Sequence, residues 1–206
     1  MPIASRRAPR AALLVNAATH PPQPVTPKTP ADLFVILQAC GIETATHEHP
    51  AVFTVAESSS IKAALPGGHS KNLFLKDRRG RLFLVVAKDD TAIDLKRLHD
   101  TIGASGRLSF GSGELLRATL GVEPGSVTPF AVINDEGRQV SVVLDEALMA
   151  LHPVNFHPLV NTATTAISGS DLIAFLRHTG HEPAIRALPP PAVCGNQGAT
   201  HLNAAP

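Results

Sequence analysis

The chain has 206 residues, of which 44% are hydrophobic and 17% charged, enough apolar material for one domain with a buried core. No apolar run reaches the roughly 18 residues of a membrane-spanning helix, so the sequence predicts a soluble protein. The two cysteines, Cys40 and Cys194, provide neither a disulfide framework nor a metal-ligand spacing, which favours a reducing compartment, and we expect the cytoplasm. The formal net charge of +1 argues against a uniformly basic nucleic-acid-binding protein.

Residues 1–29 and 188–206 have the composition of extensions rather than of a core. Seven of the 18 prolines lie in the first 30 residues, and no acidic residue precedes Asp32. An organelle transit peptide shares this arginine-bearing, acid-free composition, but the prolines oppose its amphipathic helix and favour a disordered extension. Residues 188–206 contain no Lys, Arg, Asp or Glu, and we predict a disordered tail. The sequence therefore predicts one domain over residues 30–187.

The domain begins with a clear helix and continues to a clear hairpin. Thr29 as N-cap, Pro30 in the first turn and Gly41 as a stop predict the first helix. A short strand over residues 42–49 and a helix over residues 54–65 are expected to follow. The hairpin joins residues 71–76 to residues 81–87 across the turn Asp77-Arg78-Arg79-Gly80. Both strands carry apolar side chains at odd and even positions, which predicts central strands covered on both faces.

The second half of the domain is predicted to mix helices with a second hairpin. The predicted helices span residues 94–102, 113–120 and 168–179, and the predicted short strands span residues 107–110, 155–157 and 162–167. The second hairpin would join residues 129–134 to residues 139–144. This order predicts an α/β (α+β-like) fold, a single domain with a mixed, mostly antiparallel central sheet packed by helices, rather than a doubly wound nucleotide-binding fold.

The near-neutral net charge hides a basic segment. Residues 30–187 carry 14 Lys and Arg against 17 Asp and Glu, yet residues 62–107 carry ten of those bases and five acids. A local positive surface on an acidic domain suits a polyanion that approaches from one side, with Arg78, Arg79 and Arg81 at the hairpin tip as candidate RNA contacts. Solvated hairpin tips also collect basic residues, so this observation alone leaves both interpretations open.

Lys71 is the strongest candidate for chemistry. It stands at the start of a strand predicted to be covered on both faces, where a buried ammonium needs an anionic partner or an altered pKa. Asn72 follows it and points to the opposite face, so the two side chains have separate roles. We expect one of them to contact a substrate and the other to hold the backbone.

The turn-rich loop over residues 121–129 is a second candidate. Gly125 lacks a Cβ and so lets backbone N–H groups approach an anion or a developing oxyanion, although a plain connecting loop has the same spacing. Gly111-Ser112-Gly113 stands before a helix and could hold a phosphate, but capping of that helix is the favoured interpretation.

Ten histidines occur without a metal-binding motif, so no metal and no cofactor is expected. His157 is a polar side chain in an apolar stretch, which fits either a core histidine or one wall of a small pocket. There is no Gly-x-Ser-x-Gly elbow, and neither cysteine has a histidine-bearing motif, so covalent catalysis is unsupported. An enzyme of this sequence would hold a labile substrate against positioned donors and water.

Several segments together resemble one known family. They are Gly67-Gly68-His69-Ser70-Lys71-Asn72-Leu73-Phe74-Leu75-Lys76-Asp77, Pro124-Gly125-Ser126-Val127-Thr128-Pro129, Asn134-Asp135, and Asn155-Phe156-His157-Pro158-Leu159 with Asn161 and Thr164-Thr165. In this order they resemble the freestanding prolyl-tRNA editing domains of the YbaK-like superfamily, which are related to the editing insertion of bacterial prolyl-tRNA synthetase. The likeness covers nearly all of the predicted domain.

The resemblance implies a deacylase that hydrolyses the ester of alanine mischarged onto tRNA(Pro), in which the substrate's own terminal ribose hydroxyl assists. It implies that Lys71 is essential with Asn72 beside it, and that Gly125 belongs to the aminoacyl site. It implies less firmly that Ser126 and Thr128 contact the substrate, and it places a pocket histidine at His157. The implied partners are mischarged tRNA(Pro) and, as an open question, prolyl-tRNA synthetase, with neither DNA nor a membrane. Three alternatives remain: a cysteinyl-tRNA(Pro) deacylase, a non-catalytic module that binds tRNA or a synthetase, and a metal-dependent hydrolase.

Overall fold

The structure, a computed structural model, describes residues 26–51 and 64–191. The strands of this part are β1 (Ala45–Glu48), β2 (Gly68–Lys76), β3 (Leu82–Lys88), β4 (Ser109–Phe110), β5 (Val140–Asp145), β6 (Val154–Phe156), β7 (Ala163–Ile167) and β8 (Ala184–Arg186). The helices are α1 (Pro30–Ala39), α2 (Leu98–Thr101), α3 (Gly113–Leu120), α4 (Glu146–Met149) and α5 (Gly169–His178), with a 3-10 helix over Pro129–Asn134. Nearly all of the helix predicted over residues 54–65 lies outside the described residues, as does most of both predicted extensions.

The described strands form one mixed sheet. Its order is β1-β7-β6-β2-β3-β5-β8, and β4 pairs with the far end of β2. Pairing is antiparallel at four of the strand interfaces described and parallel at three, β2–β6, β3–β5 and β5–β8. The predicted fold, a mixed and mostly antiparallel sheet packed by helices, is confirmed.

Local capping signals fixed the helix ends. The Thr29 hydroxyl accepts from the Asp32 N–H while the Asp32 carboxylate accepts from the Thr29 N–H, a reciprocal cap at the start of α1. Ser112 caps α3 through the Leu115 N–H, and Gly121 ends it at φ +64°. Gly111-Ser112-Gly113 therefore caps a helix, in agreement with the favoured interpretation.

The first hairpin is confirmed and forms the centre of the core. Residues 70–76 of β2 pair with residues 82–88 of β3, and β3 is buried along nearly its whole length. Leu84 and Val86 belong to a large hydrophobic cluster on one face of the sheet, and Phe83 and Val85 to a smaller one on the other. Burial on both faces explains why apolar residues occupy odd and even positions alike.

The predicted second hairpin is wrong. Residues 129–134 form a buried 3-10 helix that the Thr128 hydroxyl caps. Strand β5 does not pair with these residues but runs parallel to β3. The Asp135 carboxylate accepts from the N–H of Val140 over 2.7 Å, which starts β5 in a new direction. A turn signal between two apolar runs does not reveal which strand the second run will join.

Three other elements differ from the sequence prediction. The helix predicted over residues 94–102 shrinks to Leu98–Thr101, and the Asp94 N–H donates to the Pro189 carbonyl. The short helix α4 and the edge strand β8 were not predicted. The chain stays packed past β8, since Leu188 is buried in the smaller cluster.

Candidate functional site

The candidate site is an opening in the sheet along one edge of β2. On this side β2 pairs with β6 only at Gly68 and His69, and with β4 only at Leu75 and Lys76. Residues 70–74 have no strand partner there in the part of the chain that the structure describes. The opening therefore leaves strand backbone without a neighbouring described strand in the middle of the sheet.

The backbone of Ser70 and Asn72 faces this opening. The Gly68 N–H donates to the Pro153 carbonyl, and the Phe74 carbonyl accepts from the Gly111 N–H, both on this side of β2. Because peptide groups along a strand point alternately to its two sides, the Ser70 carbonyl and the N–H and C=O groups of Asn72 point the same way, whereas the pairing of His69 with Asn155 uses the Ser70 N–H. The Ser70 carbonyl and the Asn72 backbone offer hydrogen-bond acceptors and a donor to whatever enters the opening.

Asn72 connects β2 to the glycine-containing loop. Its Nδ2 donates to the Val127 carbonyl over 2.8 Å and approaches the Ser70 hydroxyl at 3.4 Å. Its Oδ1 is buried and has no hydrogen-bond partner among the described residues. An amide group held in this way presents an acceptor of fixed orientation.

The loop itself combines one exposed glycine with two buried hydroxyl residues. Gly125 has φ +94°, and no atom lies within 4 Å of the position a Cβ would take. Ser126 is buried and its N–H donates to the Glu123 carbonyl. Thr128 is fully buried, and its hydroxyl accepts from the Phe130 N–H at 3.3 Å. The Thr128 side chain therefore shapes the loop from within.

Lys71 lies on the other face of the sheet, which it shares with Leu73 and Leu75 of the smaller cluster. Its side chain is half-buried, and Nζ donates to the carbonyl oxygen of Thr91. The ammonium is thus held against the protein and not directed into bulk water. Sequence reasoning did not identify Thr91, because it is 20 residues away from Lys71 and carries no motif.

His157 follows the end of β6 and is held in one tautomer. Its Nδ1 lies 2.9 Å from the Ala163 carbonyl, which can only accept, so Nδ1 carries the hydrogen and Nε2 of the neutral ring is an acceptor. Burial lowers the pKa of His157, the Ala163 hydrogen bond opposes that shift, and nearby His49 adds to it. The neutral ring is therefore favoured.

His49 is a neighbour that sequence reasoning did not single out as functional. Its ring centroid lies 6.3 Å from that of His157, and its Nε2 is 2.9 Å from the Thr164 hydroxyl. Thr164 and Lys71 lie on the same side of the sheet, as the strand registers show, so His157 stands on that side too. A cleft of about 600 Å³ adjoins His49 and is lined by Pro30, Phe34, Thr46, Glu48, His49, Pro158, Val160, Thr162 and Ala163.

The predicted site residues are thus brought to one region but not into one contact network. Asn72 contacts the loop on one face, while Lys71 and His157 stand on the other. Within residues 26–51 and 64–191, no hydrogen bond joins Lys71, Gly125 and His157. In the same residues, no group of three or more His, Cys, Asp or Glu side chains is arranged to hold a metal ion.

The three arginines at the hairpin tip differ in availability. Arg81 is engaged: it donates to Asp77 over 2.9 Å, and its Nη2 donates to the Gly103 carbonyl and the Ser105 hydroxyl. Arg78 and Arg79 are exposed, and neither guanidinium has a hydrogen-bond or ion-pair partner among the described residues. Of the three, these two therefore have the side-chain donors that an RNA could use.

Comparisons with known proteins identify the family of this chain. The sequence profile of the aminoacyl-tRNA editing domain matches residues 49–175. The chain belongs to this family. The resemblance noted in the sequence is thereby confirmed, and Lys71, Asn72, Gly125 and His157 all lie inside the matched range.

Two relatives show how far the similarity extends. The prolyl-tRNA editing protein ProX of Acetoanaerobium sticklandii is 42% identical over 135 residues, 65% of this chain and 82% of the relative. Prolyl-tRNA synthetase associated domain-containing protein 1 of Danio rerio is 40% identical over 156 residues, 75% of this chain and 84% of the relative. The chain therefore spans most of each relative.

A solved structure supports the editing-domain fold. It is a protein proposed as a trans-editing enzyme for prolyl tRNA synthetase, with a TM-score of 0.59 and 21% identity over 79% of this chain and 99% of that one.

Within the two described segments, no helix has the length and apolar character needed to cross a membrane.

Proposed function

We propose that the protein is a trans-acting deacylase that hydrolyses the ester between alanine and mischarged tRNA(Pro). A water oxygen attacks the acyl carbon, the ester C–O bond breaks, and the terminal ribose oxygen takes up a proton, which leaves free alanine and uncharged tRNA. Family membership supports editing, and the names of the relatives support tRNA(Pro) as substrate and prolyl-tRNA synthetase as a partner. Because tRNA is charged in the cytoplasm, we expect the activity there.

The inward position of the Lys71 ammonium is the observation on which the proposal depends. An ammonium group has three N–H donors, and the Thr91 carbonyl takes one of them. Two donors and the full positive charge remain for the acylated end of the RNA. A point charge of this kind binds phosphate or a developing oxyanion without a metal.

Asn72 and Gly125 supply the remaining polar groups. The ester is already activated, so orientation, N–H donors near the acyl oxygen and a water molecule are sufficient. The backbone carbonyl of Asn72, which points into the opening, suits the α-ammonium of the amino acid. The exposed backbone at Gly125, with no side chain in the way, suits the acyl oxygen, and Ser126 and Thr128 act by holding the loop.

Such an editing step is needed because a synthetase pocket for proline cannot strongly reject a smaller amino acid. The difference of a methylene group is worth only about 1 to 3 kcal/mol. A second pocket that admits a methyl side chain and excludes the pyrrolidine ring provides the missing discrimination. We assign His157 to the wall that sets this limit.

The direct test mixes the purified protein with alanyl-, cysteinyl- and prolyl-tRNA(Pro) and measures ester loss. Alanyl ester should disappear fastest, and prolyl ester should persist. Faster loss of the cysteinyl ester would assign the other substrate. Activity abolished by a chelator would indicate the metal-dependent alternative, and no loss of any ester would leave a binding module.

Lys71→Ala distinguishes a catalyst from a binder. We expect turnover to fall by about 100-fold or more, as when one oxyanion-stabilising donor is removed, with most tRNA affinity retained. Lys76→Ala is the matched control, since Lys76 is an exposed lysine on the same strand. Equal effects of the two variants on turnover would contradict a special role for Lys71.

A further inference from the structure

Asp145 is a buried carboxylate at the end of β5 and is outside the site described above. Asp145 is only 2% exposed to solvent. Oδ2 accepts from the Lys88 N–H at 3.1 Å and from the Thr91 hydroxyl at 2.9 Å, and Oδ1 accepts from the Ala147 N–H at 3.2 Å. No ion pair of Asp145 occurs within the described segments, so these three donors compensate for its burial.

Thr91 connects this carboxylate to Lys71. Its hydroxyl donates to Asp145, and its carbonyl accepts from the Lys71 ammonium. The Thr91 N–H donates in turn to the Lys88 carbonyl over 3.1 Å, which closes the turn after β3. Thr91 is therefore held by Asp145 through its hydroxyl and by Lys88 through its N–H, while its carbonyl holds the Lys71 ammonium.

We infer that Asp145 is a positioning residue for Lys71 and acts through Thr91, an inference that rests on the proposed deacylase function. Capping of α4 is a separate role, because it uses Oδ1, whereas Oδ2 holds the turn that carries Thr91. The carboxylate fixes the place of the Thr91 carbonyl, and the carbonyl fixes the place of the ammonium.

An indirect connection has a chemical advantage over an ion pair. A carboxylate in direct contact with Lys71 would neutralise its charge and compete with the RNA for its N–H donors. A neutral carbonyl takes one donor and leaves the charge available. Displacement of a catalytic group by about 1 Å can cost up to about 100-fold in rate, so removal of this support should be measurable.

The test uses Thr91→Val, which removes the hydroxyl but keeps the carbonyl and nearly the same shape. We expect kcat for alanyl-tRNA(Pro) to fall by about 10- to 100-fold with KM little changed, and Thr91→Ser to restore it. In a Lys71→Ala background, Thr91→Val should have no further effect on kcat, because the two act as a unit. Thr179→Val is the control: its hydroxyl donates to the Leu176 carbonyl and contacts buried His181, remote from Lys71.

A second readout does not depend on activity. The ammonium signal of Lys71 in ¹⁵N NMR, assigned by its absence in Lys71→Arg, should shift or broaden in Thr91→Val and in Asp145→Asn but not in Thr179→Val. An unchanged signal, or additive losses of kcat in the double variant, would overturn the inference. If the wild-type protein hydrolyses no ester, the proposed function fails, while the NMR comparison still decides whether Asp145 and Thr91 hold the amine.

Discussion

Asn72 and Val127 are joined by a hydrogen bond of 2.8 Å between the side-chain Nδ2 and the backbone carbonyl, although 55 residues separate them. The bond fixes the orientation of the amide, because only Nδ2 can donate. The loop is thereby attached to the unpaired stretch of β2, and Oδ1 remains as a buried acceptor. This hydrogen bond makes the loop and the strand parts of one site.

Asn72→Asp should weaken both the attachment of the loop and the activity. The variant keeps the shape but directs a carboxylate oxygen at the Val127 carbonyl, which no longer has a donor. We expect a decrease of about 1 to 3 kcal/mol in unfolding free energy and a marked fall in deacylation rate. Asn134→Asp is the control, because Asn134 donates in the same way to a backbone carbonyl, that of Leu120 at the end of α3, and makes no hydrogen bond to Val127. The Asn134→Asp variant should lower the unfolding free energy but leave the single-turnover deacylation rate unchanged.

Gly125→Ala should slow deacylation through backbone strain alone. The φ of +94° is unfavourable for a residue with a Cβ by about 1 to 2 kcal/mol, while the space around it is open. The loop is expected to relax and move its N–H groups. Gly41→Ala, at φ +67° and equally uncrowded, provides the same kind of strain after α1. Similar deacylation rates for Gly125→Ala and Gly41→Ala would contradict a role for Gly125 in the site.

His157→Ala should broaden the range of esters that are hydrolysed. Removal of the ring enlarges the proposed pocket. The hydrolysis rates of esters with larger aminoacyl groups, including the prolyl ester, should therefore rise relative to the rate for the alanyl ester. His47→Ala, at an exposed position on β1, should leave the ratio unchanged. A constant ratio of alanyl to prolyl rates in His157→Ala would exclude this histidine from size selection.

The His157 ring also predicts a pH dependence. Burial lowers its pKa in the folded protein below the ordinary value of 6.5, so the unfolded chain binds a proton first as pH falls. The stability that this causes is present above pH 6.5 and is lost as pH falls through the folded-state pKa. Urea unfolding at several pH values should show a steeper acid loss for the wild type than for His157→Gln. Parallel curves would contradict the lowered pKa.

Arg78 and Arg79 should contribute to RNA affinity without affecting the chemistry. Replacement of both by Gln should weaken tRNA binding, and the dependence of log K on log salt concentration should become less steep by about one for each phosphate that is no longer bound. Single-turnover rates at saturating tRNA should stay constant. Arg177→Gln is the control, because Arg177 is paired with Glu182 at 2.7 Å. An unchanged salt dependence in the double variant would place the RNA elsewhere.

Elements with strong local signals were predictable. The α3 helix begins and ends where the sequence predicts, because Ser112 and Gly121 act within one turn of it. The first hairpin is equally local, since its two strands are adjacent in the chain. The parallel pairing of β5 with β3 depends on contacts between residues about 58 positions apart, such as Leu82 with Val140, and the sequence contains no signal for it.

The family and the hairpin could be inferred from the amino-acid order alone, and so could the proposed roles of Lys71 and Asn72, because these depend on short segments whose residues act close together. The hydrogen-bond partner of each side chain became visible only in the folded chain: the Thr91 carbonyl for Lys71, the Val127 carbonyl for Asn72 and the Ala163 carbonyl for His157. All three partners are backbone atoms. A backbone carbonyl is the same for every residue type, so no sequence pattern can mark it in advance.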